Sequence, residues 1–219
     1  MKFPFFASFV VIAIFFNISM RRVARKEEAR EEDFWQKERR ANNVRRKSLE
    51  NLEYISVPTD ALPFGTAGDN DALKDAESKV LELKEEKIVN LTGISNTDLK
   101  LEYGTANITE LTRFDQNYTS LVCALQEWGK ALYDSARYED AAKVLEFAVG
   151  TRSDITATYR ILIDMYKTKL GLNEDEITKK LEGLIPIAKN LNSLSKNTIL
   201  SMLGCKVEKK RKKDPLISI

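Results

Sequence analysis

From Phe3 to Met20 the chain carries no charged residue, and Arg21-Arg22-Val23-Ala24-Arg25-Lys26 follows at once. About twenty apolar residues cross a bilayer as a helix, so this run falls near the short end of the spanning range. A secretory signal peptide would want a basic start, a shorter apolar stretch and a small-x-small cleavage site, and residues 15–20 hold no convincing one. A buried core helix would show a polar face, and this stretch has none. The pattern predicts a membrane anchor over residues 1–20. Arg21, Arg22, Arg25, Lys26 and Arg30 crowd its C-terminal side, which places the rest of a single-pass chain in the cytoplasm.

Residues 21–50 read as a charged juxtamembrane helix without Pro or Gly, in which Asp33 and Lys37 form an i, i+4 pair. Phe34, Trp35, Ala41 and Val44 make only a thin apolar stripe. The helix is either a solvated spacer or lies against anionic headgroups with its aromatics in the interface. The spacer reading is preferred, because acids dilute the positive charge. Residues 51–70 change character. Pro58 and Pro63 forbid a continuous helix and push the residues before them toward extended geometry. Tyr54, Ile55, Val57, Leu62 and Phe64 make the segment too apolar for a bare linker, so it is expected to lie as a strap along a helical surface.

Residues 71–204 read as helical. Leu73, Ala76, Val80, Leu83 and Ile88 share one face of a helix that Gly93 stops. A short helix over 96–103 starts from an Asn96 or Thr97 cap and closes at Gly104. Residues 108–114 add a turn or two. Between Asn117 and Val149, Leu121, Leu125, Trp128 and Leu132 step along one helix face. After a break at residues 134–137, Tyr138, Ala141, Leu145 and Ala148 repeat the rhythm. The small residues Gly129, Ala141 and Ala148 let two helices approach closely. Such a hairpin cannot bury its apolar face alone and calls for stacked neighbours. Ser195 to Leu203 reads as a closing helix ended by Gly204.

These residues resemble a tetratricopeptide repeat. Leu125, Trp128, Gly129 and Leu132 stand at the first-helix signature positions, and Tyr138, Ala141, Leu145 and Ala148 at those of the turn and second helix. One period later Tyr159, Leu162 and Tyr166 take up the first-helix positions, and Ile177, Leu181, Leu184 and Ala188 continue after a longer turn. Ser153 replaces the closing Pro, Ile163 stands where Gly or Ala is usual, and Pro186 interrupts the second helix. An irregular all-α bundle is the alternative architecture. The resemblance implies a concave face, lined by first helices, that binds peptides or proteins. Carried over position by position, it presents Gln126, Lys130 and Tyr133 from one helix and Arg160, Asp164 and Lys167 from the next. The three cations suit an acidic peptide or a carboxylate. The asparagines that chaperone-tail binders use in such clamps are missing.

Composition narrows the chemistry. The chain has no histidine, which removes Ser-His-Asp and Cys-His catalysis and His-based zinc sites. It has neither a phosphate-binding Gly-rich loop nor a dinucleotide-binding turn. Cys123 and Cys205 lack metal-type spacing, and Cys123 is expected in the core. No enzyme activity, metal or cofactor is expected. The net charge of +2 is uneven, because the tail over residues 205–219 carries six Lys/Arg against one Glu between Lys206 and Lys213. That run suits anionic lipid or a solvated tail, and no nucleic-acid-binding fold accompanies it. Four Asn-x-Ser/Thr triplets, at Asn17, Asn90, Asn107 and Asn117, need no more than chance. The whole reads as an all-α, membrane-anchored adaptor or scaffold that binds a protein or peptide partner at the cytoplasmic face. The alternative is a structural accessory subunit that braces a membrane complex without using the groove.

Overall fold

The computed structural model describes the backbone of residues 3–206 and the side chains of residues 8–206. The described residues hold eight α-helices: α1 (Phe3–Asn42), α2 (Asp71–Glu82), α3 (Asn96–Tyr103), α4 (Ile108–Asp134), α5 (Tyr138–Gly150), α6 (Thr156–Asp164), α7 (Glu174–Lys189) and α8 (Lys196–Met202). A tight 3-10 turn over Thr105–Asn107 precedes α4, and a wider π turn over Met165–Lys169 extends α6. The fold is all-α, with one isolated antiparallel bridge, Tyr54 to Val89, among the described residues. The chain forms two compact units, residues 1–50 with 94–109 and residues 51–93 with 110 onward.

The expected membrane span is corrected. Among the described residues no helix is long and apolar enough to cross a membrane. Arg21 and Arg22 bound the apolar stretch of this helix on its C-terminal side. Residues 1–7 of the expected anchor lie outside the described side chains. The charged segment continues the preceding one as the C-terminal part of the same 40-residue helix. That helix stops at Asn42 rather than near residue 50. Asn43 Nδ2 donates to the Arg39 carbonyl at 3.0 Å, an end bond made by a side chain.

In the first unit α3 turns back onto the end of α1. Lys37 pairs with Asp98 at 2.6 Å, Lys100 pairs with Glu38, and Thr97 Oγ1 donates to Glu38 at 2.7 Å. The neighbouring ammoniums hold both carboxyls below the usual carboxylate range, Lys100 for Glu38 and Lys37 for Asp98. Ser95, not Asn96 or Thr97, caps α3 by accepting from Asp98 N. Gly104 closes it at φ 88, and a Cβ there would collide with the Arg45 carbonyl. Asn107 knots the unit. It is fully buried, its Oδ1 accepts from Arg46 Nε at 2.8 Å, and its Nδ2 donates to the carbonyls of Lys47 and Tyr103 at 2.7 and 2.8 Å. A buried amide with these partners is structural, so its Asn-x-Thr triplet offers no exposed acceptor.

The second unit holds the apolar core. Leu121, Leu125, Trp128 and Leu132 of α4 and Ala141, Leu145 and Ala148 of α5 are all buried, as their spacing predicts. Full burial of each large aliphatic side chain contributes roughly 1.5–3 kcal/mol. Two expectations about α4 change. It runs unbroken from Ile108 instead of starting near 117, and Cys123 is exposed, not in the core. At about 100° per residue, Leu121, Val122, Ala124 and Leu125 take the inward positions and rotate Cys123 outward. The helix from Asp71 ends at Glu82, so Ile88 and Val89 are extended: Ile55 N donates to the Ile88 carbonyl and Val89 N to the Phe114 carbonyl.

The 51–70 segment does lie as a strap. Val57 and Leu62 are buried, the Phe64 ring packs 4.7 Å from Trp128, and Gly65 N donates to the buried Glu77 carboxylate. Arg137, in the turn between α4 and α5, donates to the Thr66 carbonyl at 2.6 Å and so ties the strap down. That turn passes through Ala136 at φ 59, a left-handed conformation that costs a non-glycine residue about 1–2 kcal/mol. After Gly150 the chain adds a further helical layer, in which α6 and α7 each pack against α5 and α8. Tyr159, Leu162 and Tyr166 are buried in it, and Pro186 sits inside α7. Burial also pushes the Tyr118 phenol, whose OH donates to the Thr151 carbonyl, up to about 12. The fold is consistent with a helical-repeat domain.

Gly129 sets how closely α4 and α5 approach, because a Cβ at that position would collide with Leu145 Cδ2. Gly129→Ala therefore overpacks the interface despite its better helix propensity. The expected outcome is a loss of about 1–3 kcal/mol in urea-unfolding free energy, whereas Gly150→Ala, where a Cβ meets nothing within 4 Å, leaves the core packing as it is.

Candidate functional site

The six residues expected to line a peptide groove divide into two sets. The first set joins two helices through two hydrogen bonds. Gln126 Oε1 of α4 accepts from Thr158 Oγ1 of α6 at 2.5 Å. Tyr133 OH of α4 donates to Asp164 Oδ2 of α6 at 2.6 Å, and Thr168 Oγ1 adds a 2.9 Å bond to the Asp164 carbonyl. The structure thus brings Gln126, Tyr133 and Asp164 together as a polar seam between α4 and α6. All three are half-buried, and Gln126 Oε1, Tyr133 OH and the Asp164 carboxylate are bonded within the fold.

The other set is the cations. Lys130, Arg160 and Lys167 are exposed. Lys130 pairs with Asp134 one turn on, at 2.5 Å, an exposed i, i+4 contact of the kind that contributes about 0.3–0.5 kcal/mol. Arg160 and Lys167 have no ion-pair partner among the described residues. The seam therefore fixes the spacing of α4 and α6, and the cations flank it with their charge available. Among the described residues no group of three or more Cys, Asp or Glu side chains is placed to hold a metal ion.

Sequence reasoning missed two features beside this face. Tyr138 meets Tyr133 edge to face at 5.5 Å, and Lys169 lies over the Tyr138 ring at 5.7 Å. The exposed Cys123 lies on α4 one turn before Gln126. The rotation that buries Leu121 and Leu125 carries the signal for that placement. The basic run Lys206–Lys213, read as a contact for anionic lipid or as a solvated tail, lies outside the described residues beyond Lys206.

The Asp164 carboxylate, hydrogen-bonded to Tyr133, holds that phenol above the usual tyrosine range. A raised phenol contributes its full stabilisation below the unfolded value of about 10 and loses it as pH rises through the folded value. Tyr133→Phe is expected to lower the urea midpoint at neutral pH and to make the alkaline decline above pH ~10 shallower. Urea titrations on both sides of that pH check both effects, and an unchanged alkaline decline would show that another group governs it.

No family model, curated protein or solved structure matches the chain.

Proposed function

We propose that this chain is a non-enzymatic binding scaffold of tetratricopeptide-repeat type, which takes an acidic peptide segment of a partner protein on the α4/α6 face. The observation that carries the reading is the row Lys130, Arg160 and Lys167, exposed along two adjacent helices while the polar groups between them are bonded to one another. A preorganised seam keeps the cations at a set spacing before any ligand arrives, which lowers the ordering cost of binding. Displacing Asp134 from Lys130 costs little, because exposed ion pairs contribute about 0–1 kcal/mol.

The hairpin geometry supports the family reading. Gly129 packs directly against Leu145 between α4 and α5, and Tyr159, Leu162 and Tyr166 are buried one period after Leu125, Trp128 and Leu132. The departures are the missing closing Pro and the π turn that ends the second first-helix. The face is small, so affinity from it alone is modest and salt-sensitive.

The test is fluorescence anisotropy of a pool of labelled Asp/Glu-rich octapeptides, titrated with the full chain and with the charge-reversed variant Lys130→Glu, Arg160→Glu, Lys167→Glu. All three positions are exposed, so the variant is expected to keep its helical circular dichroism. Binding should weaken about tenfold or more, roughly 1.4 kcal/mol, and should fall with added salt. Equal binding by both proteins would remove the α4/α6 face from the reading. It would favour an accessory subunit that braces a larger assembly through another surface.

A further inference from the structure

A cleft of about 470 Å³ opens between α5 and α7, walled by residues that play no part in the α4/α6 face. Its walls are the side chains of Val149, Tyr166, Leu172, Leu184 and Ile187. Small-molecule sites fall at about 300–1,000 Å³, lined mostly by apolar groups with a few polar ones placed for orientation. Gly183 lies on the α7 wall, and a Cβ built there would meet nothing within 4 Å. Any larger side chain at this position would project into free space.

The charges at the rim nearly cancel. Glu146 accepts from both Tyr166 OH and Lys180 Nζ, each at 2.7 Å, so its carboxylate and the Lys180 ammonium neutralise each other. Glu176 is turned to the start of α7, where it accepts from Asn173 N at 3.0 Å in the capping box. Lys179 is the rim cation without an ion-pair partner among the described residues, and it is exposed. A hydrocarbon-walled cleft with one uncommitted cation at its mouth is complementary to an apolar chain ending in one anion.

From this we infer that the α5/α7 cleft binds a medium-chain fatty acid, with the chain along Val149, Leu172, Leu184 and Ile187 and the carboxylate on Lys179. Burying the chain removes apolar surface of both ligand and cleft from water, which supplies most of the affinity. The ammonium–carboxylate contact sits at the water's edge and mainly sets which end of the ligand faces out. The site goes beyond the peptide-binding reading and does not depend on it.

The experiment is calorimetric titration of decanoate, with decanol as the uncharged comparison, into the full chain and into Gly183→Trp and Lys179→Gln. Circular dichroism and thermal melts of each variant accompany it. Decanoate is expected to saturate the wild type. Gly183→Trp should weaken both ligands about tenfold or more, or roughly 1.4 kcal/mol. Lys179→Gln, an exposed change that keeps the fold, should weaken decanoate about two- to fivefold and leave decanol unchanged. Failure of decanoate to saturate the wild type overturns the inference. So does undiminished binding by a folded Gly183→Trp, or an equal effect of Lys179→Gln on both ligands. Should Gly183→Trp melt earlier, Gly183→Val, a smaller plug, is measured under the same criterion.

Discussion

The approach of α4 to α5 at Gly129 governs much of the second unit. With no Cβ at that point, the Leu145 side chain lies against the α4 backbone itself, and the two helices share one continuous apolar seam. Several other contacts depend on that spacing. Trp128, the residue before Gly129, is left to receive Phe64 of the strap, and Arg137 in the following turn reaches the Thr66 carbonyl. The strap and α2 cover the apolar face of α4, while α6 continues the stack beyond α5. A hairpin of this kind is stable only with neighbours, because each helix has apolar residues on more of its surface than its partner covers.

Polar groups do a different task in this chain. Asn107 collects three hydrogen bonds in a fully buried position and ends the freedom of the segment after α1. Glu77 receives the strap at Gly65, and Tyr133 and Asp164 join α4 to α6. Each of these groups would be costly to leave unpaired once buried or half-buried, so each one specifies an arrangement. The same logic separates the residues of the α4/α6 face. Gln126, Tyr133 and Asp164 are committed to the fold, whereas Arg160 and Lys167 are not. Commitment of the first group leaves Lys130, Arg160 and Lys167 as the exposed polar side chains among these six.

The hairpin was legible in advance because its signal is local. Spacings of three and four place Leu125, Trp128 and Leu132 on one face, and Gly129 among them marks a close approach. Elements whose ends depend on distant partners were less legible. Ile88 sits in phase with the α2 face, yet it is extended because Ile55 pairs with its carbonyl. Cys123 sits within an apolar run and faces outward, because its neighbours fill the inward positions. The role of Asn107 had little local sign, since two of its three partners, Arg46 and Lys47, lie some sixty residues earlier. The proposed groove was half legible. The repeat pattern names the six positions, but which of them bond to each other depends on how α4 and α6 lie side by side.

By itself, the sequence determined the helical class, the α4–α5 hairpin, the strap's refusal to be helical and the lack of histidine chemistry. These follow from residue periodicity, proline geometry and composition, which act within a few positions along the chain. Only the tertiary structure decided that α3 returns to α1 and that the polar seam leaves three cations exposed. It also decided that a cleft stays open beside Gly183. Those outcomes rest on contacts between residues tens of positions apart and on space that no side chain fills, and neither has a counterpart in the linear pattern.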